Sequence, residues 1–146
     1  MDVPAHDLAM ALRGAYLALH RRTDAATLDH GITADQFVVL MELSRGEALT
    51  QTELAARTSS DLNTLRAILV RLEARGLARR RAHPTDRRAR SVGITAKGRG
   101  VFDRAWAASE GIREQLDRSF TERQLETLVK FLRRCEEAFA PEVHKA

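Results

Sequence analysis

The stretch Ser60-Asp-Leu-Asn63-Thr-Leu-Arg66-Ala-Ile-Leu-Val-Arg71-Leu-Glu-Ala-Arg75-Gly76 decides the fold, because its apolar and polar positions fall on different sides of a helix. Leu65, Ile68, Leu69 and Leu72 recur at helical spacing and mark an inward face. Ser60 or Asp61 supplies the N-cap and Gly76 the stop. Just upstream, Thr50-Gln-Thr-Glu53 is a capping box that starts a short helix over about 51–57, burying Leu54 and Ala55. Only Thr58-Ser59-Ser60 joins the two helices. A short helix, a tight connection and a longer helix have helix-turn-helix dimensions, in which the second helix enters a DNA major groove. The face turned away from the core offers Ser59, Ser60, Asn63, Thr64, Arg66 and Ala67. Asn pairs with adenine, Arg with guanine, and Ser or Thr with bases or phosphates. Arg71, one turn further on, is placed for backbone phosphate.

Downstream the period changes. Leu77-Ala-Arg-Arg-Arg-Ala82 and Arg90-Ser-Val-Gly-Ile-Thr95 are short strands around the polar turn His83-Pro-Thr-Asp86-Arg87-Arg88-Ala89. That pattern predicts a β-hairpin, slightly weakened by Gly93 inside the second strand. Arg87 and Arg88 at its tip, with Arg90 beside them, suit a narrow, negative minor groove. Asp86 is read as a clamp holding one of these arginines by a charge-assisted bond.

Charge supports a polyanion-facing surface. The 146-residue chain carries only +4, yet residues 61–100 hold eleven Lys/Arg against three acids, or +8, and the remainder −4. The bland alternative is an ordinary solvated basic face.

The other helices are equally legible. Thr33-Ala-Asp-Gln36 and Thr121-Glu-Arg-Gln124 are two more capping boxes. The spacing predicts a first helix over 5–29 ended by Gly31, a second stopped near Gly46, a fifth over 96–117 and a sixth over 122–139. The first and last are apolar along one face, and so short a chain offers little to cover them, which implies a partner copy. The organisation expected is therefore dimerisation helices at 1–31 and 118–146 around a winged helix-turn-helix domain with its connecting helix at 32–117. The fold class is mainly α with a small β-hairpin wing.

Several classes are excluded or disfavoured. No run approaches the roughly 18 apolar residues of a membrane span. The N-terminus lacks the basic and apolar blocks of a signal peptide, which predicts a cytoplasmic protein. His6, His20, His30, His83 and His144 are scattered without paired metal-ligand spacing. No nucleophile-base-acid constellation suggests an enzyme, no phosphate-loop pattern occurs, and no cofactor is implied. The lone Cys135, flanked by Arg134 and Glu136, reads as a surface or interface cysteine.

The elements Asn63-Thr64-Leu65, Arg71-Leu72-Glu73-Ala-Arg-Gly76-Leu77, Arg79, Asp86-Arg87-Arg88 and Thr95-Ala-Lys-Gly98, taken together at this spacing, closely resemble the MarR family of bacterial transcriptional regulators. The helical layout extends the resemblance over nearly the whole chain. One departure is Gly93-Ile94-Thr95, where the family usually shows a longer apolar residue and then Leu-Thr. The resemblance implies a triangular homodimer on double-stranded DNA, most often a repressor, responsive to a small and often anionic aromatic molecule bound between dimer arm and DNA-binding domain. Arg13, Tyr16, His20 and Trp106 are the side chains suited to line such a cleft, although aromatics at helical spacing are more often core or interface. The competing readings are a winged-helix module that binds an acidic protein, and a ligand-binding dimer or enzyme without operator specificity.

Overall fold

In a computed structural model, residues 3–87 and 90–141 are described, so Arg88 lies outside the described residues. The helices are α1 (Val3–Thr27), α2 (Ala34–Ser44), α3 (Gln51–Arg57), α4 (Leu62–Ala74), α5 (Ala96–Ala108), α6 (Glu110–Ser119) and α7 (Glu122–Ala138). The strands are β1 (Leu49–Thr50), β2 (Ala78–Ala82) and β3 (Arg90–Ile94). The chain divides at Glu110–Gly111 into two compact units.

All three capping boxes form. Thr33 Oγ1 accepts from Gln36 N–H at 3.1 Å, while Gln36 Oε1 accepts from Thr33 N–H at 3.1 Å. Thr50 with Glu53, and Thr121 with Gln124, repeat the exchange. Each box satisfies two amide donors that a helix start otherwise leaves without partners.

The core of the first unit is aliphatic, with Leu40, Leu54, Leu65, Leu69, Leu72 and Leu77 fully buried. Burial of each is worth about 1.5–3 kcal/mol. These side chains bring α2, α3, α4 and the sheet onto one cluster. The aromatic edge is Phe37, Phe102 and Trp106, with ring centroids 5.6–6.4 Å apart. Helix α1 packs on α2 and α5.

The structure differs from the expectation in three places. The wing is a three-stranded antiparallel sheet in the order β1-β3-β2, because Leu49 and Thr50 pair with Val92 and Ser91 before α3 begins. Thr50 thus serves as both strand end and helix cap, and only the cap has a sequence signature. The single helix expected over 96–117 is broken at Ser109. Ser109 Oγ donates back to Trp106 O at 2.8 Å, and its N–H is shared between Ala105 O and Trp106 O. Such back-bonding tightens and bends a helix, and Gly111 follows at once. Finally, α1 stops at Thr27 and its last turn is a 3-10 segment, Leu28–His30, before Gly31.

One close approach joins the wing to the helices. Thr95, the N-cap of α5, donates its hydroxyl to Gly76 O at 2.6 Å and its N–H to Leu77 O at 3.1 Å. Gly98 then lies so near the chain that an added Cβ would stand 2.8 Å from the carbonyl carbon of Leu77, a backbone atom that cannot swing aside. Gly98→Ala is therefore expected to cost about 1–3 kcal/mol, the usual range for overpacking. Urea unfolding measures it, and an unchanged midpoint would show that α5 is not seated there.

Candidate nucleic-acid interface

The turn between α3 and α4 is built by backbone bonds. Ser59 N–H donates to Ala56 O at 3.2 Å and Ser60 N–H to Ala55 O at 2.9 Å. This pair of bonds is a Schellman motif, which needs a left-handed residue at its centre. That residue is Ser59, at φ 51°, the one non-glycine residue with positive φ among those described. A side chain in this region costs of order 1–3 kcal/mol, and most helices place glycine there.

Helix α4 is capped by Asp61. Its Oδ1 accepts from Thr64 N–H at 2.9 Å and its Oδ2 from Thr64 Oγ1 at 2.6 Å. Hydrogen bonds from the Thr64 hydroxyl and then the Thr64 amide hold the Asp61 carboxyl below the usual carboxylate range. The carboxylate is thus an acceptor, and the Thr64 hydroxyl has spent its only proton on it. What Thr64 offers outward is lone pairs, which suit a donor on a base edge and not a phosphate oxygen.

The inward face of α4 is Leu65, Leu69 and Leu72, with Ile68 partly buried. Asn63, Thr64, Arg66, Ala67 and Arg71 are all exposed, and Ser59 is exposed at the turn. Ser60 differs: it is half-buried, accepts from Thr58 Oγ1 at 3.1 Å and lines a cavity beside α1. Val70 was not among the expected residues, yet it is 58% exposed on the same side as Asn63, Arg66 and Ala67. Its spacing, seven residues after Asn63, was the available signal.

The hairpin presents cations on both faces. Register pairs Arg79 with Gly93 and Arg80 with Val92, so Arg79 and Arg81 share one face and Arg80 takes the other. Arg80 Nε is held by Glu73 at 3.0 Å, which ties β2 to α4. At the tip, His83 Nδ1 accepts from the N–H groups of Thr85 and Asp86 at 3.3 and 3.1 Å, closing the turn. Arg87 and Arg90 are exposed. Asp86 was expected to hold one of the tip arginines, of which Arg88 lies outside the described residues.

The four residues expected to line a ligand cleft are not brought together. Tyr16 and His20, with ring centroids 5.5 Å apart, line a cavity of about 270 Å³ shared with Asp35, Val38, Thr58 and Ser60. His20 sits between two carboxylates, 3.4 Å from Asp24 and 4.0 Å from Asp35. Arg13 and Trp106 are not in this lining, and Trp106 stacks instead on Phe37. No group of His, Cys, Asp or Glu among the described residues is arranged to hold a metal ion. No described helix is long and apolar enough to cross a membrane.

Residues 30–89, which contain α2, the helix-turn-helix and most of the hairpin, match the model of the MarR family. Over this region the chain is similar to the MarR family. It is 36% identical over 94 residues to the transcriptional regulator TtmR of Methylorubrum extorquens, a match that covers 64% of this chain. The matched part is about half, 48%, of that relative's length. Among solved structures, the Mycobacterium tuberculosis regulator MosR in complex with DNA is 28% identical, with a TM-score of 0.76 over 91% of this chain and 98% of that one. The Bordetella bronchiseptica regulator BpsR, whose DNA binding is regulated by 6-hydroxynicotinic acid, is also 28% identical, with a TM-score of 0.76 over 88% of this chain and 91% of that one.

The strained turn offers a separation of stability from recognition. Ser59→Gly is expected to raise stability slightly, by up to about 1 kcal/mol, by relieving the left-handed backbone. Its DNA affinity should fall if the Ser59 hydroxyl touches DNA. Thermal unfolding and a binding titration on the same sample decide it, and a gain in stability with unchanged affinity removes Ser59 from the interface.

Proposed function

We propose that this chain is a sequence-specific DNA-binding regulator of transcription, acting in the cytoplasm as a homodimer on a pseudo-palindromic operator. The observation that carries the reading is the exposed face of α4, where Asn63, Arg66, Ala67 and Arg71 stand clear of the core beside a hairpin rich in exposed arginines. The MosR complex with DNA supports it by likeness of fold and sequence. In this reading Asn63 and Arg66 meet base edges, Ala67 and Val70 meet thymine methyls, and Thr64 accepts from a base amino group. Ser59, Arg71 and the wing residues Arg87, Arg88 and Arg90 hold the backbone and the minor groove. Ser60 acts from behind, by fixing the turn.

The dimer is supported by apolar side chains left in the open. Leu116, Phe120, Leu128, Val129, Phe131 and Leu132 of the second unit are each at least 38% exposed, and in the first unit Leu8 and Met10 of α1 are 45% and 56% exposed. Stripes of this kind seek a second copy. A dimer spanning neighbouring grooves shields the DNA between them, which makes repression the natural outcome. A small aromatic effector seated against Tyr16 and His20 releases the DNA if it fits a conformation that DNA binding excludes. BpsR and its 6-hydroxynicotinic acid support an effector by analogy.

Selection of duplexes from a random pool at physiological salt tests the whole reading. The expected result is a pseudo-palindrome with half-site centres roughly 10 bp apart. Binding to any duplex without enrichment would return the chain to a protein-binding or ligand-binding role. On the selected site, Asn63→Ala or Arg66→Ala should cost about 1–3 kcal/mol and relax preference at particular bases. A uniform loss across sequences, with a shallower salt dependence, would make the residue a phosphate contact instead.

A further inference from the structure

The residues of α4 farthest from the core are Asn63, Ala67, Val70 and Ala74, which follow one another at steps of three or four residues. All four are exposed, on the side opposite the buried Leu65, Leu69 and Leu72. Beyond Asn63 this ridge carries no polar side-chain atom, only the methyl groups of Ala67, Val70 and Ala74. Arg66 borders it on one flank and Arg71 on the other, both exposed. The two acids nearest the ridge are already engaged. Asp61 accepts from Thr64, and Glu73 holds Arg80 at 3.0 Å.

Val70 is the member of the ridge that the fold does not account for. It is 58% exposed and lies outside the core cluster. Valine is also a weaker helix former than the alanine, arginine or lysine that would serve a solvated position. An apolar ridge with a guanidinium on each flank matches the cross-section of a major groove, whose floor is base edges and whose walls are phosphates. The apolar group on that floor is the C5-methyl of a pyrimidine. Thymine and 5-methylcytosine both carry it. They differ at position 4, where thymine has a carbonyl acceptor and cytosine an amino donor. A side chain with neither donor nor acceptor is blind to that difference and registers only the methyl.

We propose that Val70, with Ala67 beside it, reads the C5-methyl group of a pyrimidine whether the base is thymine or 5-methylcytosine. Where cytosine occupies the contacted position, occupancy of the site then follows the methylation state of the DNA. The inference rests on the DNA-binding reading above and adds to it a sensitivity to base modification.

The test uses the full chain and the duplex selected from the random pool. Each pyrimidine position of a half-site is filled in turn with uracil, thymine, cytosine and 5-methylcytosine. Uracil and thymine differ only by the methyl, as do cytosine and 5-methylcytosine. At one position the methylated base should bind about four-fold tighter within both pairs, the worth of one buried methyl. Val70→Ala, an exposed change that favours the helix, should bring both ratios at that position to about one. Ratios within about two-fold at every position, a gain confined to thymine, or a gain that survives in Val70→Ala would overturn the proposal. If no site is selected, the operator reading falls and this inference with it. A selected site that is indifferent to the methyl overturns this inference alone.

Discussion

The structure depends on the junction at Gly76 and Leu77. There the chain leaves the recognition-type helix α4, enters β2, and is met again by the start of α5. Thr95 binds both Gly76 O and Leu77 O, Lys97 Nζ donates to Arg75 O at 2.9 Å, and Gly98 permits the helix to lie on the Leu77 carbonyl. These contacts leave little freedom in how the hairpin projects from α4. In the proposed DNA-binding role, a helix in one groove and a wing at the next must keep a fixed separation, and rigid elements keep it better than loops. Arg75, which also donates to Gly31 O, extends the same junction to the end of α1.

What the sequence revealed follows from how local each determinant is. Helix starts were legible because a capping box is complete within four residues, and all three form. The buried face of α4 was legible because leucines at helical spacing have no other economical use. The break at Ser109 was not, since it turns on a single serine choosing a back-bond over continued ladder geometry. Strand β1 was hidden for a different reason. Two residues have no periodicity, and their partner on β3 is some forty residues away.

The same distinction governs the site. Exposure of Asn63, Arg66 and Arg71 could be read from the helical period alone. The chemistry of Thr64 could not, because it depends on which way one hydroxyl proton points, and the Asp61 carboxylate settles that. Ser60 looked equivalent to Ser59 in sequence, yet a one-residue step around a Schellman turn sends one outward and the other towards α1. Tyr16 and His20 line one cavity because they are one turn apart on one helix. Arg13 and Trp106 were grouped with them by residue type, and type does not determine direction. Val70 is the converse case, an apolar residue whose helical spacing places it on the exposed face.

Charge is unevenly distributed over the first unit. The wing is rich in arginine, but arginines on a two-faced hairpin cannot all point one way. The alternation of β2 gives Arg80 to Glu73 and puts Arg79 and Arg81 on the opposite face. On that face Gly93 leaves room for the Arg81 guanidinium, which reaches Ile94 O at 3.4 Å. The pocket beside α1 carries Asp35 and no arginine, whereas the outer face of the hairpin carries Arg79 and Arg81.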